Sequence, residues 1–266
     1  MSDININLSH AVTLSCSDSV THPLMVCSHE RSGTHFLMNA INECTKYTSK
    51  PFINFDLIPL GGSLNFFHDQ SVCDFYRKIS NFRIDGKTNC ARNISKSHFP
   101  VSLVGKALKN DLKLFYIYRN PVDVMISYWK FLHQWDWFEG PKTSSPLELA
   151  KHIPAGQSQR YQLRNCTSYF VRWAEHVSNA FIAAKNNANI VLVRYNDLKC
   201  DYKRTVLESC HSLKLEIIND PIPPSKNDFI KGANMKLSQK AVDELFDYCS
   251  EQLSKFEALP LNVLKA

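Results

Sequence analysis

The sequence lacks the features that mark several common classes of protein. Its nine cysteines include no C-x-x-C pair and no cluster with histidine at zinc spacing, which argues against a disulfide framework and against a metal site. No stretch approaches the ~20 apolar residues of a membrane helix, and residues 1–7 do not form the basic and apolar segments of a secretory leader. We therefore expect a soluble, cytoplasmic protein with free thiols, no metal and no membrane partner.

The charge and length of the chain narrow the remaining classes. The formal net charge of +6 is modest for 266 residues and is not gathered into long basic runs, which argues against nucleic acid as a partner and favours a small polyanionic ligand. A hydrophobic content of 44% can fill a large core, and the length fits one domain better than two. Residues 1–21 are polar and aperiodic, so we expect a loosely ordered N-terminal segment and then a single domain over residues 22–266.

The most informative stretch, residues 28–36, converts a short apolar strand into a helix through a basic turn rich in hydroxyl groups. The first N–H groups of such a helix have no partner within it and attract an oxyanion. Arg31 adds a planar cation, Ser32 and Thr34 add hydroxyl donors, and Gly33 allows a close approach to the backbone. The stretch has neither the first glycine nor the Lys-Ser/Thr pair of a Walker A loop, so it is not typical of a kinase. Taken alone, it fits an ordinary capped helix as well as a phosphate site.

A second polar motif, Lys96-Ser97-His98-Phe99-Pro100, follows a strand-like run. Alternation along an extended chain puts Lys96 and His98 on the same side. A cation and a base that titrates near neutral pH would then face one site. A single histidine is more often structural than catalytic, so the motif alone leaves both roles open.

A third motif begins after the apolar run 112–118, which predicts a buried strand. Arg119 emerges at the carboxyl end of that strand, Asn120 is suited to cap the next helix and Pro121 to begin it. The helix carries Ser127 about two turns in, so Arg119 and Ser127 could both reach a ligand over the edge of the sheet. The alternative for Ser127 is a hydroxyl that bonds back to its own helix.

The rest of the chain alternates helical and strand-like patterns, which predicts an α/β fold with a central, mostly parallel sheet flanked by helices on both faces. Pro51 to Gly86 is expected to be irregular with one short helix, and Trp135 to Arg160 to be a long mobile loop over the site. Asp136 and Glu139 in that loop would favour a cationic ligand, unless they are simply solvated. The other predicted elements are a helix to about Gln134, a helix from about Ser158 to Asn186, a strand from Asn189 to Tyr195, and helices from Tyr202 to Ser212 and from Ser238 to Phe256, the last with an inner stripe of Val242, Leu245, Phe246 and Cys249.

Taken together and in order, these motifs resemble those of the cytosolic-type sulfotransferases, in a bacterial-like form, which use 3′-phosphoadenosine 5′-phosphosulfate (PAPS) as donor. The resemblance implies a P-loop-kinase-like sulfotransferase fold over the single domain and PAPS-dependent sulfuryl transfer without a metal, with 3′-phosphoadenosine 5′-phosphate (PAP) as product. The motifs that carry it are Arg31-Ser32-Gly33-Thr34, Lys96-Ser97-His98-Phe99-Pro100, Arg119-Asn120-Pro121 with Ser127, Arg194-Tyr195-Asn196-Asp197 and Lys231-Gly232.

The resemblance also assigns roles to individual residues. His98 would be the base that acts on the acceptor, with Lys96 and Arg31 beside the transferring group. The loop of Arg31 would hold the 5′-phosphosulfate, while Arg119 and Ser127 would hold the 3′-phosphate. The residues that the resemblance places against the donor are Arg31, Ser32, Gly33, Thr34, His35, Phe36, Arg119, Ser127, Tyr195, Lys231 and Gly232.

Four positions depart from the pattern of the family. Arg31 stands where eukaryotic members have lysine, His35 replaces a threonine, and Asn196 replaces an acidic residue. Ile230 precedes Lys231 where the family has arginine, which removes one cation from the 3′-phosphate site. Because an arginine is a permanent cation, the donor loop is expected to keep its function.

The acceptor is expected to be a small alcohol, phenol or amine, including a polar or cationic natural product if the acidic residues of the 135–160 loop take part. The protein is expected to be a monomer or a homodimer. Two other classes stay open on sequence alone. A P-loop-type small-molecule kinase would show magnesium-dependent ATP turnover, and a non-catalytic nucleotide-binding protein would bind nucleotide without transfer.

Overall fold

A five-stranded parallel sheet forms the centre of the molecule, as seen in a computed structural model. Its strands lie side by side in the order Thr48–Asn54, Asn93–Ser97, Leu24–Cys27, Lys113–Tyr118 and Ile190–Arg194. The structure describes residues 24–54, 83–84, 88–89, 92–104, 112–134, 140–154, 166–224 and 235–264. Within these ranges, the strands are β1 (Leu24–Cys27), β2 (Thr48–Asn54), β3 (Arg83–Ile84), β4 (Thr88–Asn89), β5 (Asn93–Ser97), β6 (Lys113–Tyr118) and β7 (Ile190–Arg194). Strands β3 and β4 form a separate antiparallel pair.

Helices cover both faces of the sheet, as predicted. The alternation of β1 shows this, because Met25 and Cys27 pack on one face and Leu24 and Val26 pack on the other. The helices of the described ranges are α1 (Thr34–Cys44), α2 (Val101–Val104), α3 (Pro121–Gln134), α4 (Pro146–Lys151), α5 (Tyr169–Asn186), α6 (Tyr195–Cys200), α7 (Tyr202–Ser212) and α8 (Gln239–Leu253), with a 3₁₀ helix at Leu261–Leu264. Helices α3, α5 and α8 contribute to the core on the first face, and α1 and α7 to the core on the second.

The register of β1 brings the polar loops to one edge of the sheet. Cys27, the last residue of β1, lies opposite Ser97 of β5 and Tyr116 of β6. Tyr118 of β6 in turn lies opposite Arg194 of β7. All four strands run in the same direction, so the segments that follow them leave from the same edge, where ligands bind in open α/β sheets.

The prediction of an irregular segment from Pro51 to Gly86 is wrong at its start. Thr48–Asn54 is strand β2, which pairs with β5 at the edge of the sheet and shifts register between Thr48 and Ile53. A proline is tolerated on an edge strand because its missing N–H can face away from the partner. The mixture of polar and aromatic residues conceals this strand, since it shows no regular apolar alternation.

Several predicted boundaries are also wrong. Helix α5 begins at Tyr169, not near Ser158, because Ser168 caps it. Helix α4 lies within the 135–160 segment that was expected to be a loop, and its Leu149 and Ala150 are buried. The predicted strand to residue 195 ends one residue earlier, since α6 begins there.

The inner stripe of the terminal helix differs from the prediction at one position. Helix α8 buries Leu245 and Cys249, as expected, and also Leu253. The side of the helix that carries Phe246 faces outward, since this residue is 44% exposed. None of the helices in the described part of the chain has both the length and the apolar character to cross a bilayer. Residues 1–23 lie outside the described residues, so the loosely ordered N-terminal segment stays a prediction.

Loss of the cap of α5 is expected to destabilise the protein. The Ser168 hydroxyl accepts a hydrogen bond from the N–H of Val171 at 3.1 Å. Ser168→Ala should lower the free energy of unfolding by about 1 kcal/mol, whereas Ser168→Asp should keep most of it because aspartate caps equally well. Urea denaturation of the three proteins measures this difference. Equal stability of the alanine variant and the original protein would contradict the assignment of the cap.

Candidate functional site

The loop between β1 and α1 contains two residues in the left-handed region of backbone space. Arg31 has a φ of 64° and Gly33 a φ of 98°. A Cβ at position 33 would lie 2.7 Å from Cε2 of Tyr195, far closer than a carbon can approach. Gly33 is therefore required both by its backbone angle and by the ring packed against it. The turn brings the first N–H groups of α1 to the edge of the sheet, as the sequence predicts.

The hydroxyl groups of this loop have two different environments. Ser32 is completely buried, and its Oγ has no hydrogen-bond partner among the described residues. Thr34 Oγ1 lies 2.6 Å from Oγ of Ser28, the first residue after β1. A buried hydroxyl without a partner costs free energy. An oxyanion held by the loop would give the Ser32 hydroxyl an acceptor, so the loop fits the 5′-phosphosulfate end of PAPS.

Arg31 in the loop and Arg119 after β6 carry like charges that repel each other. Arg31 Nε donates to Ser127 Oγ at 3.2 Å, and the guanidinium lies 4.9 Å from the ring centre of Phe131. The Arg119 guanidinium lies 4.4 Å from the ring centre of Tyr195. Burial lowers the pKa of Arg31, and the positive charge of Arg119 lowers it further. Two cations held close together on aromatic faces attract a polyvalent anion, so a nucleotide with two phosphate groups suits this surface.

A hydrogen bond joins two residues that the sequence predicts to bind different phosphates, Arg31 and Ser127. Ser127 and Arg119 are both expected to hold the 3′-phosphate, and in the structure the Ser127 hydroxyl accepts a hydrogen bond from Arg31. Ser127 lies on helix α3, which follows Arg119, and contacts Arg31, the arginine that is predicted to bind the 5′-phosphosulfate. Arg119 forms an ion pair with Asp123 at 3.4 Å, and the Asp123 side chain is half exposed, so the charge of Arg119 is only partly neutralised.

Aromatic rings lie beside the first turn of α1. Phe36 stacks on Tyr202 with ring centres 5.6 Å apart and meets the edge of Tyr195 at 6.0 Å. His35 is exposed and stacks on Phe52 of the edge strand at 5.2 Å. Phe36 and Tyr195, which the family resemblance places against the nucleotide, are thus in contact with each other, and their role toward the nucleotide stays a prediction. A planar base could extend this group of rings.

His98 is held at the turn that follows β5. Its Nδ1 lies 2.9 Å from the carbonyl oxygen of Ser28 and 3.2 Å from the Ser28 hydroxyl. A carbonyl oxygen can only accept, so Nδ1 carries the proton in the neutral ring and Nε2 is the basic nitrogen. Lys96 and His98 are 8% and 7% exposed, so both lie almost buried at the carboxyl edge of the sheet. This tautomer is the one that a base acting through Nε2 requires.

A buried ion pair behind the loop was missed by sequence reasoning. Arg172 of α5 binds Glu30 through two hydrogen bonds, of 2.6 Å to Oε2 and 2.9 Å to Oε1. Its Nη1 also donates to Nε2 of His29 at 2.7 Å. Burial alone would lower the pKa of Arg172, but the Glu30 carboxylate outweighs burial and raises it. The only sequence signal was a charged residue on the apolar face of a helix, because the partners are 142 positions apart.

Some assigned residues lie outside the described ranges. These are Lys231 and Gly232, and the acidic residues at 136 and 139. Their roles, like the role of the 135–160 loop as a lid, stay predictions. Within the described residues, no three His, Cys, Asp or Glu side chains converge in a way that would hold a metal ion.

The chain matches one family and several related proteins. Residues 21–249 match the family model described as Sulfotransferase domain. The amine sulfotransferase of Oryctolagus cuniculus is 25% identical over 148 residues, which are 53% of this chain and 42% of that protein. Sulfotransferase 2A6 of Rattus norvegicus is 29% identical over 123 residues, 45% of this chain and 39% of that protein. The match thus spans about two-fifths of the length of these curated relatives.

Solved structures with a similar arrangement come from a mouse and a bacterium. The mouse sulfotransferase SULT7A1, complexed with PAP, has a TM-score of 0.47 at 17% identity, covering 90% of this chain and 66% of that one. The sulfotransferase of Alicyclobacillus acidocaldarius has a TM-score of 0.48 at 15% identity, covering 90% and 96%. Both scores are below 0.5, so family membership rests on the sequence match over residues 21–249.

The buried His29 predicts a dependence of stability on pH. Burial, and then the Arg172 cation, lower the pKa of His29 from 6.5 to about 3. In acid the unfolded chain therefore binds a proton here that the folded protein does not bind. The stabilising contribution is complete above about pH 6.5 and is lost as the pH falls toward 3, with a slope of up to ~1.4 kcal/mol per pH unit.

Chemical denaturation at a series of pH values between these limits measures the slope. His29→Gln should flatten it, and the matched change at the exposed His211 should leave it nearly as it was. Parallel pH profiles for His29→Gln and the original protein would contradict a neutral, buried His29.

Proposed function

The chain belongs to the Sulfotransferase domain family, and from that premise we propose that it transfers the sulfuryl group of PAPS to a hydroxyl or amine of a small molecule, with His98 as general base. One observation carries the proposal. The Nδ1 of His98 is bonded to the carbonyl of Ser28, while the Ser28 hydroxyl contacts Thr34 in the first turn of α1. The base and the anion-binding loop are therefore held together by one residue.

The donor would lie along the edge of the sheet in the orientation that the family resemblance implies. The loop of Arg31, with Ser32, Gly33 and Thr34, would bind the 5′-phosphosulfate. The 3′-phosphate would lie against Arg119 and Ser127, and the base of the nucleotide near the aromatic rings around Phe36 and Tyr195. Burial and then the positive charge of Arg119 lower the pKa of Arg31, which supports this assignment because each arginine would gain an anionic partner.

The residues of the site would then act in a single displacement. His98 Nε2 takes the proton of the acceptor hydroxyl or amine as the acceptor oxygen or nitrogen forms its bond to sulfur. The bond from sulfur to the bridging phosphate oxygen breaks, and PAP leaves with that electron pair. Lys96 and Arg31 stabilise the negative charge that develops on the leaving oxygen. A transferring sulfuryl group carries less charge than a phosphoryl group, so cationic side chains and N–H groups can provide this stabilisation.

The acceptor would be a small alcohol, phenol or amine. An amine is the first class to test, since the relative from Oryctolagus cuniculus is named an amine sulfotransferase. Transfer of label from PAPS to a panel of acceptors identifies the class. Transfer of label from ATP in the presence of magnesium, in the same assay, would indicate a kinase and not a sulfotransferase.

The first prediction of this function concerns the 3′-phosphate. If Arg119 binds it, the protein should bind PAP much more tightly than adenosine 5′-phosphate, and Arg119→Ala should remove most of the difference. The loss corresponds to ~1.5–3 kcal/mol for a hydrogen bond to a charged group, or about 10- to 150-fold in affinity. Isothermal titration calorimetry measures the affinity of each protein for PAP and for adenosine 5′-phosphate. Arg204, which is largely exposed and pairs with Asp201, provides the control Arg204→Ala. Equal affinity of the original protein for the two nucleotides would contradict the assignment.

The second prediction concerns the base. His98→Ala should lower transfer by ~10²–10⁴-fold while the affinity for PAP stays unchanged, because the base acts on the acceptor. An acidic phenol should recover part of the loss, since it ionises without help. Lys96→Ala should not recover in this way, because a missing cation is not replaced by an ionised acceptor. The exposed His211→Ala is the control. Near-normal turnover by His98→Ala would exclude His98 as base, and loss of folding would indicate a structural role.

A further inference from the structure

A chain of buried hydrogen bonds links strand β6 and helix α5 to the main chain of His98. The hydroxyl of Tyr116, on β6, lies 2.6 Å from Nδ1 of His176, on α5. The other nitrogen of His176, Nε2, lies 3.0 Å from the carbonyl oxygen of His98. Tyr116 is fully buried and His176 is 2% exposed. Neither residue belongs to the motifs that the sequence singles out.

The donor and the acceptor of each of these hydrogen bonds can be assigned, starting from the carbonyl oxygen of His98. The carbonyl oxygen of His98 can only accept, so Nε2 of His176 carries a proton. In the neutral ring, Nδ1 of His176 must then accept, and the Tyr116 hydroxyl donates to it. Burial raises the pKa of Tyr116 well above its ordinary value, so this hydroxyl stays protonated. The Tyr116 donor thereby selects the tautomer of His176 that can hold residue 98.

The turn that carries His98 is fixed at several further points. The N–H of Phe99 donates to the Ser97 hydroxyl at 3.0 Å, and the Cys27 thiol donates to the carbonyl of Phe99 at 3.1 Å. The His98 ring is bonded to the Ser28 carbonyl, as described above. With the peptide held by His176 and the ring held by Ser28, the direction of the basic nitrogen is set at both ends of the residue.

We propose that Tyr116 and His176 are positioning residues that orient His98 for proton transfer. This inference rests on the proposed role of His98 as base. A displacement of about 1 Å in a reacting group can cost about 10²-fold in rate. The Tyr116 hydroxyl also forms a hydrogen bond with the main chain of His29. Buried polar side chains such as Tyr116 and His176 require hydrogen-bond partners, which two phenylalanines at these positions would not. The hydrogen bond to the carbonyl of His98 thus accounts for a histidine at position 176, and the hydrogen bond to that histidine accounts for a hydroxyl at position 116.

The experiment compares Tyr116→Phe and His176→Gln with the original enzyme, using labelled PAPS and two acceptors of different acidity, phenol and para-nitrophenol. Tyr116→Phe removes one oxygen atom and should lower kcat with phenol by about 10- to 100-fold, while KM for PAPS stays unchanged. The loss should be smaller with para-nitrophenol, which needs less help from a base. The glutamine of His176→Gln can still donate to the carbonyl of residue 98, so this variant should keep more activity than His176→Leu.

The matched control is Tyr169→Phe, which removes the hydroxyl of another fully buried tyrosine, beside Gly140. Its kcat should stay within about twofold of the original. Equal kcat values for Tyr116→Phe and the original enzyme with both acceptors would overturn the inference. An equal loss with phenol and para-nitrophenol would do the same, because a defect in packing does not depend on the acidity of the acceptor.

A double-mutant comparison separates this inference from the role of the base. In a His98→Ala background no imidazole remains to be oriented, so Tyr116→Phe should cause little further loss of kcat. A full additional loss would show that Tyr116 acts independently of His98 and would refute the positioning role. If His98→Ala alone is nearly as active as the original enzyme, the proposed base fails, and the inference fails with it. If His98→Ala is impaired and Tyr116→Phe is not, only the positioning role fails.

Discussion

Helix α5 holds both halves of the site through two side chains one turn apart. Arg172 binds Glu30 in the loop after β1, and His176 binds the carbonyl of His98 after β5. Residues four positions apart lie on the same face of a helix, so both reach the edge of the sheet from one rigid element. Loss of one partner from a buried ion pair leaves an unpaired charge and costs about 3–5 kcal/mol. The position of the loop therefore depends on the packing of α5, which lies far from it in sequence.

The ion pair between Glu30 and Arg172 also keeps the ligand-facing side of the loop positively charged. Glu30 is the immediate neighbour of Arg31, and a free carboxylate there would compete with an anionic ligand for the guanidinium. Both carboxylate oxygens of Glu30 instead accept hydrogen bonds from Arg172. Arg31 is left facing a hydroxyl and an aromatic ring, with a second arginine nearby. The loop thus contains an acidic residue without losing its positive character toward the ligand.

The parts of this arrangement that are local in sequence could be predicted. The apolar runs of β1 and β6 and the cap of α3 at Asn120 follow from patterns a few residues long, and the Asn120 side chain indeed accepts from the N–H of Val122 at 2.8 Å. The edge strand β2 was not predicted, because pairing with β5 and not the composition of β2 itself makes this segment a strand. Membership of the Sulfotransferase domain family is confirmed, as is the doubly covered parallel sheet.

The contacts that orient the site could not be predicted, because they join residues 60 to 143 positions apart. The pattern gave one usable sign, which is that Arg172 and His176 interrupt the apolar face of α5 between Tyr169 and Ala180. Polar side chains on such a face need partners, since burial without hydrogen bonds would destabilise the fold. The partners of these two side chains are the Glu30 carboxylate, the His29 ring, the Tyr116 hydroxyl and the main-chain carbonyl of residue 98. The two polar residues on the apolar face of α5 are therefore the only feature of its sequence that indicates its contacts with the site.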